Sequence, residues 1–172
     1  MTQKVVNFVG YSNSGKTTLI EKLIKILKCD GFSIAVIKDT HHDFDIDRPG
    51  KDTYRFREAG ASQIVARSDQ RWALLTETPE EKVSLTYLLS QLQSCDLVFV
   101  EGFKSETSAM LRLEVWRQEN GFAPPLAEKD FSIEAVITDQ KNSFNLNRPT
   151  LDINDPELIV SWILQYFQLK SI

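Results

Sequence analysis

The chain has 172 residues, 42% hydrophobic and 26% charged, a composition typical of one globular domain and unlike that of a disordered or fibrous chain. Lys and Arg number 20 against 24 Asp and Glu, so the formal net charge of −4 disfavours general binding to nucleic acid or anionic lipid. Any phosphate-binding site must therefore depend on a local group of positive charges and not on the net charge of the chain. The sequence shows neither the roughly 18 apolar residues of a membrane span nor the apolar run of a signal peptide, so we expect a cytoplasmic protein.

Apolar runs and helical periodicities alternate from the N-terminus, which predicts an α/β fold. We expect a P-loop NTPase-like three-layer arrangement with a mostly parallel, mixed sheet and a β-hairpin, formed by a single nucleotide-binding domain over residues 1–172. Lys4 to Val9 reads as the first strand. A Gly-rich turn follows, and then a helix with one apolar face formed by Leu19, Ile20, Leu23, Ile24 and Leu27.

The next elements are a strand, a long polar loop and a hairpin. Phe32 to Lys38 predicts the second strand, and the loop from Asp39 to Asp52 has no apolar periodicity. Gln63 to Ala66 and Arg71 to Thr76 predict two short strands of a hairpin, which would make the sheet mixed.

Two capping sequences in the second half of the chain each predict the start of a helix. Thr78-Pro79-Glu80-Glu81 fits a capping box that opens a helix, and Asn154-Asp155-Pro156-Glu157 caps the last helix. In that last helix we expect four side chains to face the core: Leu158, Ile159, Trp162 and Phe167.

Three further strands lie between these helices. Asp96 to Glu101 predicts a buried strand, and Ile133 to Thr138 predicts another. Between them, Leu111, Leu113 and Val115 alternate with Arg112, Glu114 and Trp116, a pattern typical of a strand with one wet face.

The strongest chemical signal lies between the first strand and the first helix. Residues 10–17 match the pattern G-x-x-x-x-G-K-[ST] of a phosphate-binding loop, whose backbone N–H groups surround phosphate oxygens at a helix N-terminus. Lys16 would add a full positive charge, and the Thr17 hydroxyl would ligate Mg²⁺. The predicted phosphate-binding residues are Gly10, Tyr11, Ser12, Asn13, Ser14, Gly15, Lys16, Thr17 and Thr18.

A magnesium ion bound to phosphate usually gains a carboxylate from the end of a neighbouring strand. Glu101 ends an apolar strand and is the predicted carboxylate, whereas Asp96 stands at the opposite end of that strand. The alternative for Glu101 is a carboxylate that simply faces solvent. We assign Thr17 and Glu101 to the metal shell, with Asp45 and Asp47 as further candidates.

The polar loop holds both histidines of the chain and a series of acids and bases. Its spacing matches neither a zinc site nor an EF-hand, and a solvated polar loop remains the alternative. We favour a segment that senses the nucleotide or faces a partner. The residues assigned to this role are His41, His42, Asp43, Lys51 and Asp52.

Several motifs together resemble the molybdopterin-guanine dinucleotide biosynthesis adapter family, protein B of that pathway. The similarity runs in order over about residues 4 to 117 and is weaker beyond. The histidine-containing run, followed by Gly-Lys-Asp, is more specific than the phosphate loop alone. The motifs are Gly10–Thr17, Thr40–Asp47, Gly50–Asp52, Ala59–Ala61, Arg71–Leu74 and Val100–Lys104.

The resemblance implies a homodimeric GTP-binding protein that uses Mg²⁺ and has at most weak GTPase activity. It would assist the molybdopterin guanylyltransferase, protein A of the pathway, which joins GMP to molybdopterin. Whether molybdopterin itself binds here is open. The sequence lacks an Asn-Lys-x-Asp tetrad, so we assign Asp139, after a predicted strand, as the guanine reader, with an ordinary turn as its alternative. Trp72 and Leu74 would form an apolar dimer contact.

Two other functions fit parts of the sequence. In a P-loop kinase or ATP-dependent ligase, Asp43 or Asp45 would act as a base toward a small acceptor. In a metallochaperone-like GTPase, His41 and His42 would carry a metal. No catalytic residue is assigned in the adapter interpretation, because no base that must activate water is evident.

Overall fold

The computed structural model describes residues 3–40, 46–78, 82–106, 110–118, 123–140 and 147–170. Residues 1–39 with 91–172 form one compact unit, and residues 40–90 form a second. The prediction of a single nucleotide-binding domain is not tested by this division into two units. Within the described ranges, no helix is long and apolar enough to cross a membrane.

The described residues form eight strands, four α-helices and a short 3-10 turn, at Leu126–Glu128. The strands are β1 (Val5–Val9), β2 (Ile34–Lys38), β3 (Gln63–Arg67), β4 (Trp72–Thr76), β5 (Leu97–Glu101), β6 (Leu111–Trp116), β7 (Ile133–Thr138) and β8 (Thr150–Asp152). The helices are α1 (Lys16–Cys29), α2 (Asp52–Glu58), α3 (Leu85–Gln91) and α4 (Pro156–Tyr166).

The first unit is built on a six-stranded sheet with the order β2-β5-β1-β6-β7-β8. Every neighbouring pair in it is parallel. The carboxyl ends of these strands therefore lie at one edge of the sheet, where α/β proteins bind ligands. The central strand at this edge is β1, which leads directly into the predicted phosphate loop.

One face of the sheet packs against α1 and α4 in the main hydrophobic core. The apolar periodicity of α1 gives this contact, because Leu19, Leu23 and Leu27 lie on one side of the helix and are buried. At the start of α4, the Asp155 carboxylate accepts the N–H of Leu158 at 3.0 Å, which confirms the predicted cap. The side chain of Leu158 is 46% exposed, so its predicted core position is wrong.

The other face of β6 was expected to be wet, and this expectation is wrong. Arg112 and Glu114 are as buried as the apolar residues that alternate with them, Leu111, Leu113 and Val115. The two terminal nitrogens of Arg112 donate to Asp130 Oδ2 at 2.8 Å, to Ser132 Oγ and to the Lys104 carbonyl oxygen at 2.7 Å. These acceptors replace water at the two terminal nitrogens, which lowers the cost of burying the guanidinium, whereas its Nε is buried without a partner.

The buried carboxylate of Glu114 also has hydrogen-bond partners, which are backbone N–H groups. Its two carboxylate oxygens accept the N–H groups of Leu126 and Ala127 at 2.7 and 2.8 Å. Burial raises the pKa of Glu114, and these two hydrogen bonds oppose the increase. The interaction ties the short 3-10 turn to β6.

The second unit contains α2, the hairpin formed by β3 and β4, and most of α3. The fold class is confirmed, but the hairpin forms its own two-stranded sheet and does not make the main sheet mixed. The predicted capping box does not start α3. This helix begins at Leu85, where the Ser84 hydroxyl accepts the N–H of Tyr87, and residues 79–81 of the box lie outside the described residues.

Candidate functional site

The loop after β1 turns sharply because of Gly10. Its φ of 141° lies in the region that L side chains rarely adopt, and a Cβ at this position would stand 2.3 Å from the Val115 carbonyl oxygen. The loop backbone can therefore pass directly against β6. Asn13 and Gly15 also have positive φ values, 62° and 90°, and α1 begins immediately afterwards at Lys16.

The ammonium group of Lys16 lies over this loop. It donates to the Tyr11 carbonyl at 2.6 Å, to the Gly10 carbonyl at 3.3 Å and to Ser14 Oγ at 3.4 Å. Burial lowers the pKa of Lys16, as do the charges of Lys104 and Lys38, whereas the charge of Glu101 opposes the decrease. The lysine is thus a partly desolvated cation at the start of a helix, a setting that favours a bound anion.

The Thr17 hydroxyl meets Glu101 at this edge of the sheet. Thr17 Oγ1 donates to the two carboxylate oxygens of Glu101 at 3.0 and 3.1 Å, across 84 residues of sequence. Lys38 Nζ, at the end of β2, forms an ion pair with the same carboxylate at 3.4 Å. The predicted metal-binding pair is therefore in direct contact.

Tyr11 anchors the loop on the side of β6 and β7. Its ring packs against a small cluster that includes Trp116 and Val136, and its hydroxyl donates to the Pro124 carbonyl at 3.0 Å. Lys104 Nζ lies 5.9 Å from the centre of the same ring. A second cation is therefore held beside the loop.

The remaining loop residues differ in exposure. Ser14 is fully buried, whereas Ser12, Asn13, Thr17 and Thr18 are exposed. The phosphate-binding role of these residues stays a prediction.

The predicted switch and additional metal residues lie in the second unit or outside the described residues. Residues 41–45, which include His41, His42, Asp43 and Asp45, lie outside the described residues. Asp47 is in the second unit, where its Oδ1 accepts the hydroxyl of Thr53 at 2.6 Å. Lys51 and Asp52 start α2 in that unit and are exposed. Their roles stay predictions.

Asp139 directly follows Thr138, the last residue of β7, and its side chain is exposed. Its place at the carboxyl edge of the sheet agrees with the prediction, because β7 is parallel to β6 and β6 to β1. Its role as a guanine reader is untested.

Sequence reasoning gave no role to three cations near the loop. They are Lys38, Lys104 and Arg117, each of which lies at or within three residues of the end of a strand of the parallel sheet. That shared position was the available signal, since the ends of parallel strands meet at one edge. These cations explain how a chain of net charge −4 can present a locally positive surface.

The arrangement defines a class of protein. A parallel sheet whose central strand leads through a Gly-rich loop into a helix, with Lys16 and Thr17 at the helix start, is an α/β fold with a P-loop.

Comparison with known proteins defines the family. The model of the family described as molybdopterin guanine dinucleotide synthesis protein B matches residues 5–139. The Escherichia coli protein named molybdopterin-guanine dinucleotide biosynthesis adapter protein is 43% identical over 167 residues, which cover 95% of this chain and 93% of that protein. The Haemophilus influenzae protein of the same name is 44% identical over 161 residues, covering 92% and 86%. The chain belongs to this family.

Solved structures agree with this assignment. Bacillus subtilis MobB has a TM-score of 0.72 at 26% identity, covering 98% of this chain and 99% of its own. A structure of molybdopterin-guanine biosynthesis protein B has a TM-score of 0.70 at 26% identity, covering 94% and 99%.

The close approach at Gly10 gives a first testable prediction. Gly10→Ala places a Cβ against the Val115 carbonyl, and we expect it to lower the free energy of unfolding by about 2 kcal/mol or more. Gly50→Ala is the matched control, because its φ of 87° is also positive but no atom lies within 4 Å of the added Cβ. It should cost about 1 kcal/mol. Urea unfolding measures both, and equal losses would contradict the tight contact.

Proposed function

We propose that this protein is a GTP-binding adapter that assists the guanylyltransferase attaching GMP to molybdopterin in the synthesis of molybdopterin guanine dinucleotide. The observation that carries the proposal is the Thr17–Glu101 contact at the start of α1, next to the phosphate loop. Membership of the family of the Escherichia coli adapter protein supports the pathway role.

The phosphate chain of the nucleotide would bind over residues 10–17. Backbone N–H groups and the N-terminus of α1 would donate to its oxygens. Lys16 would exchange its hydrogen bond to the Tyr11 carbonyl for one to a phosphate, since both acceptors would lie beside the same loop.

The residues present fit a magnesium ion. Thr17 and Glu101 supply a hydroxyl and a carboxylate in mutual contact, and hard oxygen ligands of this kind are those that Mg²⁺ prefers. Among the described residues, no group of three or more His, Cys, Asp or Glu side chains is arranged to hold a metal ion. The two protein ligands suit an ion that takes its other oxygens from phosphate and water, and whose charge would stabilise the phosphates.

Hydrolysis by this site would be slow. The Glu101 carboxylate is already engaged by Thr17 and Lys38, which suits a metal shell better than proton abstraction from water. An adapter needs nucleotide binding more than turnover, so weak GTPase activity agrees with the proposed role.

Guanine selection would come from Asp139. A carboxylate that accepts guanine N1–H and N2–H discriminates against adenine, because an unpaired buried polar group costs about 1–3 kcal/mol. Asp139→Asn should therefore weaken the preference for GTP over ATP.

The central test is the affinity for GTP in the presence of Mg²⁺. Lys16→Ala should weaken binding about 100-fold or more, because it removes the charge nearest the phosphates. Lys25→Ala is the matched control: it removes the same charge from an exposed position on α1 and should change affinity by no more than about twofold. Isothermal titration calorimetry measures all three proteins.

Two outcomes would count against the proposal. Micromolar GTP binding by Lys16→Ala would exclude this loop as the site, and a clear preference of the unmodified protein for ATP would favour a kinase or ligase. For the adapter role, the protein should capture purified guanylyltransferase more strongly with GTP than without it, and Lys16→Ala should lose this GTP effect.

We also propose that the protein is a homodimer joined through the hairpin. Val65, Trp72 and Leu74 are 67%, 62% and 45% exposed, and cross-strand pairing places them on one face of β3 and β4. A contiguous exposed apolar face of this kind is typical of an interaction surface. We also propose that the protein acts in the cytoplasm. We propose that the loop at residues 41–52 faces a partner, and that molybdopterin is one of the molecules bound.

Sedimentation velocity tests the dimer. We expect the unmodified protein to sediment at twice the chain mass of 19.7 kDa, and Trp72→Ala to shift it toward one chain mass, because the substitution removes apolar contact area. Phe131→Ala, another exposed aromatic substitution, should leave the dimer intact. A single-chain mass for the unmodified protein at high concentration would contradict the dimer, and a dimer unaffected by Trp72→Ala would exclude the hairpin.

A further inference from the structure

Arg117 is the residue next to β6, at the same edge of the sheet as the phosphate loop. Strand β6 pairs with β1, and Val9 lies opposite Glu114 in that pairing. Because the strands are parallel, the chain leaves β6 beside the point where it leaves β1 for the loop. Arg117 is thus brought to the loop by the sheet itself.

The Arg117 guanidinium lies against Gly15. A Cβ placed on Gly15 would stand 3.6 Å from Arg117 Nε and 3.7 Å from both Cζ and Nη2. These are ordinary van der Waals distances, so the guanidinium covers the residue that precedes Lys16. Two cationic groups therefore flank the last turn of the phosphate loop.

Arg117 differs from Arg112, which comes from the same strand. Both terminal nitrogens of Arg112 are paired, with Asp130, Ser132 and a backbone carbonyl. The Nε of each arginine is buried without an acceptor, but in the described part of the chain Arg117, unlike Arg112, has no hydrogen bond or ion pair from its terminal nitrogens either. A buried guanidinium N–H without an acceptor is costly, so the arrangement favours an anion that supplies one.

We propose that Arg117 is a phosphate-binding residue of this loop, whose guanidinium donates to phosphate oxygens of the bound nucleotide beside Gly15. The proposal rests on nucleotide binding at the loop and adds a ligand-contacting residue to it. The planar guanidinium presents several N–H donors in a fixed fork that matches two phosphate oxygens, whereas Lys16 acts as a point charge. The loop would hold the phosphates from one side and Arg117 would contact them from another.

The test compares Arg117→Ala and Arg117→Lys with the control Lys25→Ala. The probes are GTP with Mg²⁺, and tripolyphosphate, which has phosphates but no base or sugar. We expect Arg117→Ala to weaken binding of both probes about tenfold or more, Arg117→Lys to recover part of the loss, and Lys25→Ala to stay near the unmodified protein. Thermal melting of each variant without ligand checks folding, and Arg117→Gln replaces Arg117→Ala if the latter does not fold.

Three results would overturn the proposal. Unchanged GTP affinity in Arg117→Ala, with the unmodified protein binding normally, would remove Arg117 from the site and leave the proposed function standing. A loss for GTP but not for tripolyphosphate would place the contact on the base or sugar. Failure of the unmodified protein to bind either probe would reject the proposed function and this inference together.

Discussion

The path of the phosphate loop depends on the close approach of Gly10 to the Val115 carbonyl. A side chain cannot be accommodated there, since even a Cβ would stand 2.3 Å from the carbonyl oxygen. The loop can therefore leave β1 and remain against β6 before it enters α1. This contact positions the start of the loop, and the buried face of α1 and the hydrogen bonds between Thr17 and Glu101 position its end.

The parallel sheet then concentrates charge at this edge. Lys38 and Glu101 come from the ends of β2 and β5, on one side of β1, and Arg117 follows β6 on the other. A chain with a net charge of −4 thus places several cations around one loop. Under the proposed function, such a local field would attract the phosphates of a nucleotide without making the whole protein a polyanion binder.

Buried polar groups of β1 and β6 support the same region. Arg112 donates to the Lys104 carbonyl, and Asn7 Nδ2 donates to the Phe103 carbonyl at 3.4 Å, so the segment after Glu101 is held from the sheet. The Asp130 carboxylate accepts a further hydrogen bond from the Arg112 guanidinium. Partial desolvation opposes its ionisation, but hydrogen bonds from Ser132 and the charge of Arg112 lower the pKa of Asp130 overall.

The sequence was sufficient for features that depend on local pattern. The loop motif placed Gly10, Gly15 and Lys16, and the apolar run before Glu101 placed that carboxylate at a strand end. Prediction from local pattern was wrong where contacts with residues distant in the sequence determine whether a side chain is buried. The burial of Arg112 depends on acceptors 8 to 20 residues away, which no alternation of polar and apolar residues reveals. Strand β8 has only three residues, too few for a periodic signal.

A crystal structure of the protein with a non-hydrolysable GTP analogue and Mg²⁺ would test the proposed nucleotide site most directly. We expect the phosphates to lie over residues 10–15, Lys16 Nζ to contact a phosphate in place of the Tyr11 carbonyl, and Mg²⁺ to lie beside Thr17 and Glu101. A nucleotide bound elsewhere, with Lys16 still bonded to the Tyr11 carbonyl and Thr17 still bonded to Glu101, would contradict the proposed site.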